Sequence, residues 1–293
     1  MPERSGVHVE CFPGPGTRPY GSIVREFAAF LKRHPIVRRN CAIFIPHVMH
    51  FAANYFVSSR RHAWLGLLPD GMINYADRRP GPSERLKNLA KIFVGARYGV
   101  SYWPISGLRH ITGYDRDLYD ATFTFNRQGL VSRGGEVIVL DIANSRQSPA
   151  GDPERIVFLD QEVSELLDPE EERVLRARVA SYFRHKAPRT LFYKPHPKGV
   201  SRAEDMAKAL SRDVEVLPGA MPIEEVTAEL NVGEFVSFYS TALVSLRRET
   251  GAKVSSILPV SRKGRAAAFF ADIEASFRSQ GIQIVSPDSQ DHE

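Results

Sequence analysis

FVSFYSTALVSL, residues 235–246, carries a strand and its exit. The apolar run FVSFY reads as a strand. Ser240 and Thr241 follow it, and Ala242, Leu243, Val244 and Leu246 then supply apolar positions for a helix. Strand, short polar exit and helix form the repeating unit of an α/β chain. The same unit recurs on either side. IVFLD (156–160), TLFYKPHP (190–197), VEVL (214–217), VSSIL (254–258) and GIQIV (281–285) read as strands, with helices near 169–184, 202–210, 222–230 and 266–278. In the first half, HVECF (8–12), CAIFI (41–45), AWLGLL (63–68) and VIVLDI (137–142) read as strands. Helices are expected near 22–32, 49–57 and 83–94. CAIFI is continuous enough to suit a strand buried on both faces. The aromatic-rich region up to about residue 130 shows no clear period, and RQSPAGDPER (146–155) reads as a turn-rich connection.

This alternation predicts an α/β chain with mostly parallel sheets. Two runs of it, residues 1–150 and 151–293, predict two Rossmann-like domains with a cleft between them. Such sheets bind ligands at the carboxyl ends of their strands. The 293 residues, 43% of them hydrophobic, suffice for two cores. Charged residues make up 25%, which excludes a wholly disordered chain. A net charge of +5 suits an anionic substrate, a nucleic acid or an acidic membrane surface and does not choose among them. The basic residues are scattered, without a basic helix or an aromatic-plus-basic platform, which argues against nucleic acid. Cys11 and Cys41, both in or next to strand-like runs, read as reduced thiols. The start lacks a signal-peptide stretch and no run reaches the length of a membrane span. The expectation is a cytoplasmic protein, compatible with a peripheral contact at an anionic inner-membrane surface and with a homodimer.

Three short motifs fall at strand ends. In LLPDG (67–71), Asp70 follows an apolar run and precedes a glycine. It reads either as an ordinary turn or as a cleft carboxylate acting as general base. In LFYKPHPKG (191–199), Pro195 and Pro197 stiffen the backbone around His196, with Lys194 and Lys198 as basic flanks. That arrangement holds an imidazole beside an anion, and it equally ends a buried strand. In FYSTAL (238–243), Ser240 and Thr241 can cap a helix, bind a phosphate at its positive end, or do both. No GxGxxG precedes a helix and no GxxxxGK[ST] loop occurs, so dinucleotide and P-loop sites of those types are not expected. No Cys/His cluster suggests structural zinc, and Ser240 lies outside a GxSxG elbow. His47, His50 and His110 read as packing or surface residues.

Taken in order, Pro69-Asp70-Gly71, His196-Pro197 and Ser240-Thr241 resemble the acidic-pair-glycine, His-Pro and Ser-Ser/Thr motifs of the bacterial sialyltransferase superfamily, which includes capsular polysialyltransferases. The resemblance spans about 60 to 260. It implies a two-domain glycosyltransferase of the GT-B type. Such an enzyme moves sialic acid or a related nonulosonic acid from its CMP ester, with inversion, onto a glycan hydroxyl. The chemistry takes no bound metal and no cofactor. The resemblance implies Asp70 as general base and His196 on the donor phosphate, as a hydrogen-bonding partner or as its proton donor. It further implies Ser240 and Thr241 as phosphate ligands. MPIEEV (221–226) resembles the region whose glutamate holds the cytidine ribose, pointing to Glu224, with Glu225 as the alternative. Lys194 is a candidate for electrostatic attraction of the donor. Pro69 departs from the acidic pair, leaving Asp70 as its remaining acid, with Asp115 and Asp117 of GYDRD as other carboxylates for that role. The alternative functions are another GT-B nucleotide-sugar transferase, or a non-catalytic glycan- or nucleotide-binding protein.

Overall fold

A computed structural model describes residues 19–33, 41–59, 62–68, 71–76, 79–103, 110–114, 117–125, 127, 129–131, 133–140, 151–164, 166–196, 202–219, 221–261 and 264–285. By contacts the chain divides into two units. Met1–Leu68, Arg79–Phe123 and Ser132–Val137 form one; Pro69–Arg78, Thr124–Val131 and Ile138–Glu293 form the other. The second unit is therefore not one continuous half. Short segments from within the first 150 residues belong to it.

The first unit holds helices α1 (Tyr20–Arg33), α2 (Phe51–Ser59) and α3 (Pro82–Arg97), with strands β1 (Cys41–Ile45) and β2 (His62–Leu67). Strands β3 (Ala121–Thr124) and β4 (Glu136–Val139) complete a sheet ordered β1-β2-β3-β4. β1 and β2 are parallel, as are β2 and β3. Ile23, Phe27 and Leu31 recur at helical spacing and turn one face of α1 inward. Phe27 and Phe51 meet edge to face, and Phe51 stacks on Tyr102. One expectation needs correction here. CAIFI is not buried on both faces: among the described strands β1 lies at the edge of its sheet, and Phe44 is 49% exposed, resting against Trp64 and Phe123. β3 escaped the sequence reading because four residues, ATFT, are too few to display a period. HVECF lies outside the described residues.

The second unit contains strands β5 (Asp152–Leu159), β6 (Thr190–Lys194), β7 (Glu215–Val216), β8 (Val232–Ser237), β9 (Lys253–Ser256) and β10 (Gln283–Ile284). Between them run α4 (Pro169–Lys186), α5 (Ala203–Leu210), α6 (Ile223–Leu230), α7 (Ala242–Glu249) and α8 (Gly264–Ser279). The sheet order is β10-β9-β8-β5-β6-β7, and its paired strands are all parallel. Counted from β5, the order reads 6-5-4-1-2-3, the doubly wound Rossmann arrangement. Its switch point lies between β5 and β8, where the chain leaves in opposite directions. The turn-rich 146–155 segment was read too broadly, since β5 already starts at Asp152. Parallel pairing of Asp152 with Val232 carries the strand through Pro153.

Local chemistry accounts for α4. Asp168 accepts the Glu171 amide at 2.9 Å, and the Glu171 carboxylate accepts the Asp168 amide at 3.1 Å. Pro169 starts the first turn, Glu170, Glu171 and Glu172 occupy it, and Arg184, His185 and Lys186 close the last. The helix packs on a core containing Val157, Phe158, Tyr193 and Phe238. Phe158 meets Phe183 and Phe238 edge to face.

Beneath α4, Asp160 is buried just past the end of β5. Its carboxylate accepts the Tyr193 hydroxyl at 2.5 Å and the Gln161 amide at 2.8 Å, and it pairs with Arg176. The Tyr193 oxygen in turn accepts the Arg202 amide at 2.9 Å. Tyr193→Phe removes a donor from a buried carboxylate and an acceptor from a backbone N–H. Urea denaturation of this variant should show a loss of about 1–3 kcal/mol.

Candidate functional site

The exits of β5, β6 and β8 converge on the switch point of the second unit. The three exits are interlocked. Gln161 Oε1 accepts the Tyr239 amide at 2.8 Å, and the Tyr239 hydroxyl donates to the Glu162 carbonyl at 3.2 Å. The Arg176 guanidinium lies 5.2 Å from the Phe238 ring centroid. Sequence reading missed Asp160 and Gln161 because neither stands in a motif. Their position directly after an apolar strand was the available signal.

Lys194 ends β6 and is buried. Its ammonium donates to the carbonyls of Pro218 at 2.7 Å and Gly219 at 2.8 Å. Burial lowers its pKa below the ordinary lysine value, and the negative charge of Glu224 acts in the opposite direction. This lysine is therefore anchored to the segment before α6 while sensing the first turn of that helix. His196 stands two residues further on, half-buried and engaged within the protein. Pro197 and Lys198 lie outside the described residues.

Glu224 occupies the first turn of α6, where a carboxylate complements the helix dipole. Its Oε1 accepts the Ser245 hydroxyl at 2.5 Å. Ser245 lies on α7, four residues after Thr241 and therefore on the same side of the helix. Glu225 is exposed. The Glu249 pKa is raised, by burial first and by the charge of Glu224 second. Lys194, Glu224, Ser245 and Glu249 thus form one polar group between β6, α6 and α7. Ser245 and Glu249 were not singled out from the sequence, because only the packing of α6 on α7 brings them to Glu224.

Ser240 and Thr241 stand where the sequence put them, between β8 and α7. Ser240 Oγ accepts the Ala242 amide at 3.2 Å, so this hydroxyl is a local cap. Thr241 is exposed and its side chain makes no capping bond. It faces the 3₁₀ helix Gly71–Tyr75, also part of the second unit. A Cβ at Gly71 would meet Thr241 Cγ2 at 3.7 Å and Oγ1 at 3.9 Å. That 3₁₀ helix is tied down by the Asn74 carbonyl, which accepts the Val131 amide at 2.9 Å, and by Tyr75, whose hydroxyl is 2.8 Å from Thr124 Oγ1. Asp70 lies outside the described residues, as does Asp115. Asp117 belongs to the first unit at φ +48°.

The three histidines set aside by the sequence reading have local surroundings. His110 is fully buried, with Nδ1 2.8 Å from Thr112 Oγ1, and His47 Nδ1 accepts the Met49 amide at 3.2 Å. His50 is exposed. Among the described residues no group of three or more His, Cys, Asp or Glu side chains could hold a metal ion. No helix among them is long and apolar enough to cross a membrane.

Residues 136–257 match the family described as alpha-2,8-polysialyltransferase (POLYST). The matched stretch contains Lys194, His196, Glu224, Ser240 and Thr241. The matched stretch is less than half of the chain. No curated protein matches the chain. Among solved structures, the chain is similar to the alpha/beta-galactoside alpha-2,3-sialyltransferase of Photobacterium phosphoreum, with 10% identity, coverage of 91% of this chain and 84% of that one, and a TM-score of 0.47. It is also similar to the GT-B domain of a Photobacterium damselae sialyltransferase, at 12% identity, 95% and 86% coverage and a TM-score of 0.45. MurG of Acinetobacter baumannii is similar at 9% identity, 90% and 64% coverage and a TM-score of 0.44.

Gly71 has φ +66°, where an L side chain is strained. The space beside Thr241 admits a methyl, so the strain is conformational. Gly71→Ala should lower stability by about 1–2 kcal/mol in thermal or urea denaturation. An unchanged midpoint would refute the positive-φ requirement.

Proposed function

We propose that the protein is an inverting glycosyltransferase that moves sialic acid, or a related nonulosonic acid, from its CMP ester to a glycan hydroxyl. The observation that carries this reading is the polysialyltransferase match over residues 136–257, the stretch that holds the candidate donor residues of the second unit. The motif resemblance supplies the roles. The acceptor oxygen attacks the anomeric carbon as the bond from that carbon to the phosphate oxygen breaks. Asp70 takes the acceptor proton, Pro69 having replaced the first acid of the pair. Ser240 and Thr241 donate to the phosphate as its charge grows, and His196 hydrogen-bonds to it or protonates it. Glu224 accepts from the cytidine ribose, and Lys194 draws the anionic donor towards its end of the sheet. Residues 151–293 are the donor side and residues 1–150 the acceptor side. CMP-sugar and glycan are the binding partners, nucleic acid is not, and neither metal nor cofactor takes part. The setting is cytoplasmic, with peripheral contact at the inner membrane.

A panel of CMP- and UDP-linked sugars, assayed for nucleotide release with and without glycan acceptors, tests the function. Acceptor-stimulated CMP release that survives exhaustive chelation is expected. Release from UDP-sugars alone would move the protein to another class of nucleotide-sugar transferase. CMP binding with no transfer to any acceptor would favour the non-catalytic alternative.

His196 separates a chemical from a structural role. His196→Ala should cut turnover by about 10²–10⁴-fold while thermal denaturation stays near that of the parent. His196→Gln should recover much of the loss if a hydrogen bond to phosphate is enough, and little if proton donation is required. Parallel losses of turnover and stability would assign the imidazole to the strand end instead.

A further inference from the structure

We propose that Ser245 is a positioning residue for the donor, holding the Glu224 carboxylate in the orientation that receives the ribose hydroxyls. This rests on the reading of the donor as a CMP ester. The Ser245 hydroxyl lies 2.5 Å from Glu224 Oε1 and 3.1 Å from the Ala242 carbonyl. It has one proton to give. The shorter contact is to the charged acceptor, where a hydrogen bond is stronger. That bond engages one oxygen of Glu224 on one side. A carboxylate offers about four lone-pair sites, so acceptor capacity remains for a pair of hydroxyl donors.

The charged groups around Glu224 do not set the direction of its carboxylate. Lys194 attracts it from β6, with its own ammonium fixed on the Pro218 and Gly219 carbonyls. Glu249 repels it from the end of α7. Coulomb forces of this kind are weakly directional, and a glutamate has several rotamers to lose on binding. The Ser245 hydrogen bond fixes one rotamer in advance. Because Ser245 and Thr241 share one side of α7, the same short helix sets the phosphate hydroxyl and the ribose carboxylate.

The test compares CMP with 2′-deoxy-CMP by calorimetry on the full chain. The parent protein should prefer CMP. Ser245→Ala should weaken CMP binding about tenfold, the scale of one lost hydrogen bond to a charged group, while changing 2′-deoxy-CMP binding much less. The preference between the two nucleotides should therefore shrink. Ser245→Thr keeps the hydroxyl and should keep the preference. A folded Ser245→Ala protein that retains the parental preference would overturn the role of Ser245 and leave the donor class standing. Equal loss for both nucleotides would also overturn it, pointing to a general structural effect. Failure of the parent protein to bind CMP would overturn the donor reading and this proposal with it.

Discussion

The Asp160 carboxylate is the point on which the second unit turns. It is 4% exposed, and a charge so placed is costly unless it is paired and hydrogen-bonded. Arg176 of α4, the Tyr193 hydroxyl of β6 and the Gln161 amide meet that need. Each partner carries the constraint onwards. Arg176 lies over Phe238 at the exit of β8 and reaches Glu172, which also pairs with Arg202 at 2.6 Å. Tyr193 accepts from the Arg202 amide at the start of α5. One buried charge therefore ties three strand exits and two helix starts into one arrangement. Hydrophobic burial drives the sheet together, but it is nearly indifferent to direction. The directional bonds of Asp160 determine where the chain leaves the sheet, and candidate ligand groups sit on those exits.

A second polar group, around Glu224, is built differently. Around Asp160 the partners largely satisfy the charge. Around Glu224 they do so only in part. Lys194 is committed to backbone carbonyls, Ser245 gives one hydrogen bond, and Glu249 adds like charge. The first pattern stabilises a fold. The second leaves acceptor capacity on a partly exposed helix turn, as a ligand site requires. The same contrast separates the two hydroxyls at the start of α7. Ser240 is used as a cap, while the Thr241 side chain is exposed.

Much of this was legible in the sequence. Strands of the second unit are apolar runs closed by turn residues, and α4 announces itself by Asp168, Pro169 and Glu171. Period and capping are local properties, so a sequence displays them. β3 was not legible, because ATFT is short and its pairing with β2 is a long-range property. Phe44 misled for a related reason: an apolar letter does not say whether its strand lies at an edge. The site divided along the same line. Ser240, Thr241, Lys194 and His196 stand at strand exits, and their position is visible in one dimension. Asp160 carries no motif, and Ser245 becomes meaningful only when α6 packs on α7.

The assignment of Gly71 to the second unit bears on how the proposed reaction is held together. Gly71 follows Asp70, the proposed base, in sequence, and a Cβ added to it would meet Cγ2 of Thr241, a proposed phosphate ligand, at 3.7 Å. That backbone is fixed further along by Asn74 and Tyr75. A peptide bond is rigid and short, about 3.8 Å between successive Cα atoms. Gly71 and the 3₁₀ helix it opens belong to the second unit, whereas β2 belongs to the first. Transfer needs the base near the anomeric carbon at the moment the phosphate departs. The backbone leading away from the proposed base is held at Gly71 at φ +66°, a conformation that a residue without a Cβ adopts without strain.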